Sequence, residues 1–251
     1  MNPQEEQFKN DVAGNIRGLG ADHRVKEASL AWIRETARHK YTYNFRWLGR
    51  PIIQLPQDIV AMQEVVWSLQ PDLIIETGIA HGGSLILYSS LLELNSLCGG
   101  PADAEVIGID IDIRAHNRAA IEAHPMAKRI SMIQGSSISP EVIAQVSRRA
   151  STKKSVLVCL DSSHTRAHVL AELEAYAPMA SPGSYCVVFD TIVDDMPGAM
   201  FADRPWGPGD NPKTAVREFL AGHPEFEIDA AIDAKLAVSV APSGYLRRRQ
   251  P

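Results

Sequence analysis

Cysteine is scarce: Cys98, Cys159 and Cys186 are the only three, and no C-x-x-C spacing links them. No disulfide framework is implied, and they read as small core residues of a reducing cytoplasm. No apolar run approaches the length of a membrane span. The first residues, MNPQEEQFKND, are polar and acidic, unlike a signal peptide. Basic residues are no surplus, 25 Lys and Arg against 30 Asp and Glu, so no nucleic-acid footprint follows. Repeats and low-complexity stretches are lacking too. These absences lead to the expectation of a soluble, cytoplasmic protein with no nucleic-acid and no membrane partner. At 251 residues it fits one α/β domain with an N-terminal extension. A chain of that length buries roughly three-quarters of its unfolded surface.

What is present centres on Leu73-Ile74-Ile75-Glu76-Thr77-Gly78-Ile79-Ala80-His81-Gly82-Gly83-Ser84. An apolar run ends in a carboxylate, and a glycine-rich turn opens into a helix. Gly78, Gly82 and Gly83 allow a tight turn and let a ligand lie against bare backbone. The spacing is not Gly-x-Gly-x-x-Gly, because Ala80 takes the second glycine's place. Glycine in such a turn can also serve packing alone. About thirty residues on, Val106-Ile107-Gly108-Ile109-Asp110 is a second short strand ending in an acid, near the spacing of a ribose-binding carboxylate in a βαβ unit. Glu-x-Gly followed by Gly-Ile-Asp resembles the pairing used by class I S-adenosylmethionine methyltransferases.

Periodicity predicts alternating strands and helices over 73–77, 84–94, 106–110, 115–123, 130–134, 140–150, 155–161, 166–177, 185–190 and 212–221. Ser139 as cap and Pro140 as first residue mark the helix at 140. Such alternation argues a mostly parallel sheet covered on both faces. Strands are expected at 225–232 and 236–241, turning at Asp233-Ala234, with Arg247-Arg248-Arg249 a solvated tail. Residues 1–56 read as an extension. Gly14, Gly18 and Gly20 should break its start, and Val25 to Thr36 should be an amphipathic helix. Tyr41, Tyr43, Phe45 and Trp47 alternate on one face of an extended segment, as a hydrophobic strap or a lid. A stiff, Pro-bounded connector follows, and Asp58 should cap the next helix. Residues 57–251 form the main domain.

Ligands of open α/β sheets bind at the carboxyl ends of the strands. Glu76, Asp110, Asp161 and Asp190 all stand there, and the third strand leads into Ser136. Any one acid could be a cap; four on one rim favour a polar ligand. Asp161-Ser162-Ser163-His164 places an acid and an imidazole together, with His164 a candidate base. Ser163 or Thr165 could instead simply cap the helix, and His168 reads as solvent-facing. A metal site of Asp161, His164 and His168 is conceivable.

GRPIIQLPQD, ETGIAHGGS, DSSH, VVFDT and GPGDNPKTAVREFL together resemble the family named for cephalosporin hydroxylase, from about residue 40 to the C-terminus. Its members include sugar O-methyltransferases of antibiotic pathways, among them rhamnose-methylating enzymes of enediyne pathways. The resemblance implies a class I methyltransferase Rossmann-like fold: a mostly parallel seven-stranded sheet, a C-terminal antiparallel hairpin and an N-terminal helical extension. It implies S-adenosylmethionine along Glu76, Gly78, Ala80, Gly82, Ser84, Asp110, Ser136 and Asp161. It also implies Mg²⁺ on Asp161 and Asp190, and catalysis by His164 and Asp161. Relatives often have two adjacent acids here, whereas this chain has Phe189-Asp190-Thr191, and Asp194 or Asp195 could substitute. The expected activity is methylation of a deoxysugar hydroxyl, best the 3-hydroxyl of rhamnose on a nucleotide or natural product, by a homo-oligomer. The rivals are a nicotinamide-dependent oxidoreductase, an iron hydroxylase as the family name suggests, and a non-catalytic nucleoside-binding regulator.

Overall fold

The structure, a computed structural model, describes residues 2–250. Helices α1 (Pro3–Ala21) and α2 (His23–Ala37) precede a hairpin of β1 (Phe45–Trp47) and β2 (Arg50–Ile52). Then come α3 (Pro56–Leu69), β3 (Leu73–Thr77), α4 (Gly83–Leu97), β4 (Glu105–Asp110), α5 (Ala115–Glu122) and β5 (Ile130–Gln134). The chain continues with α6 (Pro140–Ala150), β6 (Val156–Leu160), α7 (Arg166–Tyr176), β7 (Tyr185–Val188) and α8 (Pro212–Gly222). It ends with β8 (Phe226–Ile228), α9 (Ala230–Leu236) and β9 (Tyr245–Arg248).

Strands β3 to β9 form a seven-stranded sheet in the order β5-β4-β3-β6-β7-β9-β8. Only β9 runs against its neighbours β7 and β8; the pairs from β5 across to β7 are parallel. This is the class I Rossmann-like methyltransferase topology. The chain winds outward from β3 to one side and resumes at β6 on the other, so the topological switch point lies between them.

Side chains of a strand alternate between the faces of a sheet, and here both faces are covered. Ile74, Val106, Leu157, Cys159 and Val187 pack under α3 and α4. Leu73, Ile75, Ile107, Val158 and Cys186 pack against α6, α7 and α8. A sheet buried on both sides needs apolar residues at every position, which is why its strands read as continuous apolar runs. The same alternation sends Glu76 to the α3 and α4 face and leaves it fully buried. Cys159 and Cys186 are core residues, whereas Cys98 is exposed.

Several expectations fail locally. Gly14, Gly18 and Gly20 do not break α1, which runs through them. Glycine costs only about 1 kcal/mol in a helix interior, and Gly20 packs directly on Ala234 of α9. The segment expected as two strands is instead β8, helix α9 and a later β9. Asp229 caps α9 by accepting from the N–H groups of Ala231 and Ile232, a cap misread as strand interior. Arg247 and Arg248 are not a free tail but part of β9. Arg248 donates to the carbonyls of Pro178 and Ala180.

The connector at 47–56 begins as the β1–β2 hairpin, with Leu48 and Gly49 both at positive φ, as a tight hairpin turn demands. Tyr41, Phe45 and Trp47 pack on the core as a strap, the Trp47 indole donating to Ser90 Oγ at 2.9 Å. Asp58 does not cap α3. It is buried, accepts from Ser239 Oγ, the Val240 N–H and Tyr245 Oη, and so ties α3 to the chain before β9. No helix among the described residues is long and apolar enough to cross a membrane.

Candidate active site

At the switch point the loops after β3 and β6 touch. Gly78 has φ +90°, and a Cβ there would stand 1.9 Å from the Asp161 carbonyl oxygen. Only glycine allows that approach. Ala80 also takes a left-handed backbone, φ 44°, a conformation that costs an L-residue about 1–2 kcal/mol. Its surroundings hold it there. Asn117 Nδ2 donates to the Ala80 carbonyl at 2.9 Å, and Arg50 donates to the His81 carbonyl and to Asn117 Oδ1. Asp110 Oδ2 accepts from the N–H groups of Ile79 at 2.8 Å and Ala80 at 3.3 Å. The loop is therefore shaped before any ligand arrives.

Beside it opens a cavity of about 200 Å³ lined by Tyr43, Gln54, Gly78, Ser84, Asp161, His164 and Asp190, among others. Asp161, His164 and Asp190 each offer a ligand atom, all within 4.8 Å of one another. Asp190 reaches the cluster from a left-handed turn, φ 55°. His164 Nε2 lies 3.1 Å from Asp190 Oδ2, and the imidazole meets the Trp206 ring in a T-shaped contact, 4.9 Å between centroids.

The electrostatics are those of a site short of positive charge. Burial drives Asp161 far above the usual carboxylate range, and the negative charges of Asp190, Glu76 and Glu172 push it further. Burial likewise raises Glu76 to about 8; the Ser84 hydroxyl facing it pulls the other way, and Asp110 adds to the rise. Neither Glu76 oxygen has a hydrogen-bond partner among the described residues. Burying carboxylates without partners costs several kcal/mol each. A cationic ligand would remove that cost. An amine or sulfonium fits at Glu76, and a hard divalent ion suits the Asp161 and Asp190 oxygens.

The expected residues are strung along the rim in sheet order: Ser136 after β5, Asp110 on β4, Glu76 to Ser84 at β3, Asp161 after β6 and Asp190 after β7. From Asp110 to Asp190 is three strand spacings, roughly 14 Å, the scale of an elongated ligand rather than an ion. Asp110, Ser136, Gly82 and Glu76 do not line the cavity that joins Asp161, His164 and Asp190; Glu76 is buried and faced by Ser84, which does.

Thr165 makes no side-chain cap to α7; Asp210 Oδ1 instead accepts from the Arg166 N–H at 2.7 Å. His168 is not solvent-facing and does not join the cluster. Its Nε2 lies 3.1 Å from Ser137 Oγ and 3.2 Å from Ser162 Oγ, with buried Glu172 accepting from Ser162 at 2.6 Å. It knits the loops after β5 and β6 together. Phe189 is a core residue, 1% exposed. Asp194 and Asp195 do not substitute for the missing acid, because each is bound elsewhere. Asp194 takes the Gly209 N–H, Asn211 and Arg217, and Asp195 pairs with Lys213. The third group of the cluster is His164. Sequence reasoning overlooked Arg50, Gln54, Asn117 and Trp206. Arg50 and Gln54 did lie within the GRPIIQLPQD stretch, whose chemistry is legible only once it folds over α4.

Fold, switch-point cavity and acid-lined rim together define a protein of the S-adenosylmethionine-dependent O-methyltransferase class. The sequence profile described as Rhamnosyl O-methyltransferase/CmcI matches residues 39–249, and the chain belongs to that family. A rhamnosyl O-methyltransferase of Mycobacterium tuberculosis (strain ATCC 25618 / H37Rv) is 29% identical over 224 residues, covering 84% of this chain and 83% of that protein. Among solved structures, a CmcI apo-structure matches with a TM-score of 0.58 at 20% identity, covering 83% of this chain and 78% of that one. A CmcI structure with Mg and SAM gives 0.55 at 20% identity, over 82% and 77%.

Proposed function

We propose that this protein transfers the methyl group of S-adenosylmethionine to a deoxysugar hydroxyl, best the 3-hydroxyl of rhamnose carried on a nucleotide or natural product, in antibiotic biosynthesis. The observation that carries the reading is the pairing of two acidic features at one rim: the Glu76 carboxyl, with neither oxygen partnered among the described residues, and the Asp161–His164–Asp190 cluster, whose ligand atoms lie within 4.8 Å of one another. The curated relative named for rhamnosyl methylation and the CmcI structure named with Mg and SAM support the substrate and the ligands.

In this reading Glu76 holds the cofactor's amine, and Gly78, Ala80, Gly82 and Ser84 line its course. Asp110 takes the ribose hydroxyls. Its carboxylate already accepts three backbone N–H groups; with about four acceptor sites it has room for one hydroxyl as it stands, and the second would share or displace the long 3.3 Å bond from Ala80. Ser136 meets the adenine edge. Asp161 and Asp190 hold Mg²⁺. When bound, the cofactor supplies an electrophilic methyl group on a sulfonium, and the metal supplies a Lewis acid beside the acceptor oxygen.

The protein's own task is alignment and proton removal. Clamping oxygen, methyl and sulfur in line is worth roughly 7–11 kcal/mol of a barrier. The preshaped 78–83 loop and the cavity wall provide that alignment. His164 takes the hydroxyl proton on the ring nitrogen turned away from Asp190, imidazole being the side-chain type that exchanges protons near neutral pH. Nε2, 3.1 Å from the acceptor-only Asp190 Oδ2, carries the other hydrogen, and Asp190 faces the imidazolium that forms. Tyr43, half exposed at the cavity mouth, offers an aromatic face to a sugar. One imidazole with two carboxylates is not the two-histidine, one-carboxylate set of iron oxygenases. The test is a mass-spectrometric screen of rhamnosyl nucleotides and rhamnosides with labelled S-adenosylmethionine. A product heavier by one methyl supports the reading, and turnover requiring iron and 2-oxoglutarate instead would replace it.

A further inference from the structure

The GRPIIQLPQD stretch contributes one side chain to the cavity whose chemistry is otherwise unused. Pro56 opens α3 and forces Leu55 into an extended backbone, φ −77° and ψ 144°. The chain between β2 and α3 therefore runs straight along the cavity wall, and Gln54 lines it beside Ser84 and Gly83. Gln54 is 1% exposed, and neither its Nε2 nor its Oε1 has a hydrogen-bond partner among the described residues. An amide so placed loses its water and gains nothing in return. It offers a donor and an acceptor side by side, so the matching ligand carries an acceptor next to a donor.

The opposite wall narrows the choice. A Cβ on Gly83 would fall 2.1 Å from the Pro51 carbonyl oxygen, so the first turn of α4 lies directly against the segment that carries Gln54. The opening N–H groups of that 15-residue helix have no intrahelical acceptor, and the helix dipole favours a negative charge there. Arg50 is engaged with the His81 carbonyl and Asn117, and the carboxyl groups at this rim, Glu76, Asp110, Asp161 and Asp190, oppose an anion. An anion can enter only where neutral donors gather, which is between Gln54 and the start of α4. The cation beside it has orphaned Glu76, which the Ser84 hydroxyl faces. An adjacent carboxylate and ammonium form an α-amino acid.

We propose that Gln54 recognises the α-amino acid end of the cofactor, Nε2 donating to its carboxylate and Oε1 accepting from its ammonium. This rests on the cofactor reading above. The test compares S-adenosylhomocysteine with 5′-methylthioadenosine, which keeps the nucleoside and the thioether but lacks the amino acid, by calorimetric titration of the full chain. Gln54→Leu should weaken S-adenosylhomocysteine binding about ten- to a hundredfold, the worth of a hydrogen bond to a charged group, and leave 5′-methylthioadenosine unchanged. The ligand-free variant should melt no lower than the wild type, because an apolar isostere replaces an unsatisfied amide. Gln54→Glu, which keeps size and acceptors but opposes a carboxylate, should weaken S-adenosylhomocysteine at least as much. Equal affinity in both variants, or equal loss for the two ligands, overturns the assignment. Wild-type protein that binds neither ligand overturns the cofactor reading and this one with it.

Discussion

Asp194 and Asp195 follow Asp190 by four and five residues, yet the three carboxylates live in opposite surroundings. In the corner between β7 and α8, Asp194 accepts from the Gly209 N–H at 3.0 Å, Asn211 Nδ2 at 2.8 Å and Arg217 at 2.8 Å. Asn211 in turn closes a capping box with Thr214 at the start of α8. Burial alone would raise Asp194, but Asn211, Gly209 and Arg217 outweigh it and leave it below its ordinary value. At two rim acids the balance is reversed: Asp161 is driven up, and Glu76 stands near 8 with both oxygens unpartnered among the described residues. An acid whose donors come from the chain holds the fold together. An acid denied them weakens the fold and leaves room for a ligand to supply what is lacking.

The sharpest way to break this contrast is to remove a rim acid. Asp161→Ala or Asp190→Ala should lower methyl transfer about a thousandfold or more, the equivalent of several kcal/mol of charge stabilisation. Exhaustive chelation of the wild type should do the same, with recovery on adding Mg²⁺. Full turnover in chelator would show that the two acids serve something other than a metal.

His164 and His168 make a finer pair, one at the cluster and one tying two loops. His164→Ala should reduce turnover roughly 10²–10⁴-fold, the range for loss of a general base, with S-adenosylhomocysteine affinity little changed. His168→Ala should act on stability instead, by about 1–2 kcal/mol, through the bonds to Ser137 and Ser162. Steady-state kinetics beside denaturant titration separates them; a reversal of the two effects would move the base to His168.

Glu76 gives the contrast a pH signature. With its carboxyl raised to about 8, the ligand-free protein holds a proton there at neutral pH, and a cationic ligand must displace it. S-adenosylhomocysteine affinity should therefore rise between pH 6 and 8, by at most about tenfold per unit, and level off above. Glu76→Gln should bind about ten- to a hundredfold more weakly at pH 8 and lose that slope. Calorimetry across the range reads both, and a parallel slope in the variant would assign the titration elsewhere.

The smallest effect on activity belongs to the satisfied corner. Asp194→Ala should cost about 1–3 kcal/mol of stability, from donors left unpaired, while the folded enzyme turns over normally. Because Asp194 is held below its ordinary value, its contribution is full above about pH 4 and lost as pH falls through the folded-state pKa. Glu76 has the opposite sign: its folded-state value is raised, so stability is gained as pH falls through about 8 toward its unfolded value near 4.3. Urea midpoints of wild type, Asp194→Ala and Glu76→Gln between about pH 2.5 and 8.5 should show the two slopes opposed, that of Asp194 below about pH 4 and that of Glu76 above it.

Local patterns were enough for the alternating elements. β3 and α6 fall at 73–77 and 140–150 as read, because the apolar run Leu73-Ile74-Ile75 and the Ser139-Pro140 start are signals carried by neighbours in the chain. The same patterns placed Glu76, Asp110, Asp161 and Asp190 at strand ends, where a parallel sheet makes its rim. They failed where distant partners decide. Asp229 looks like strand interior until it caps α9, and Asp58 looks like a helix cap until Ser239, Val240 and Tyr245 close over it. Nothing local distinguishes Asp190 from Asp194, or His164 from His168. Identical side chains differ only in which donors the folded chain brings within reach. Hydrogen-bond satisfaction is a property of three-dimensional neighbours, so the sequence by itself determined the sheet and the acids along its edge. Tertiary structure alone decided which acids brace the fold and which, with Gln54, stand unsatisfied around the cavity.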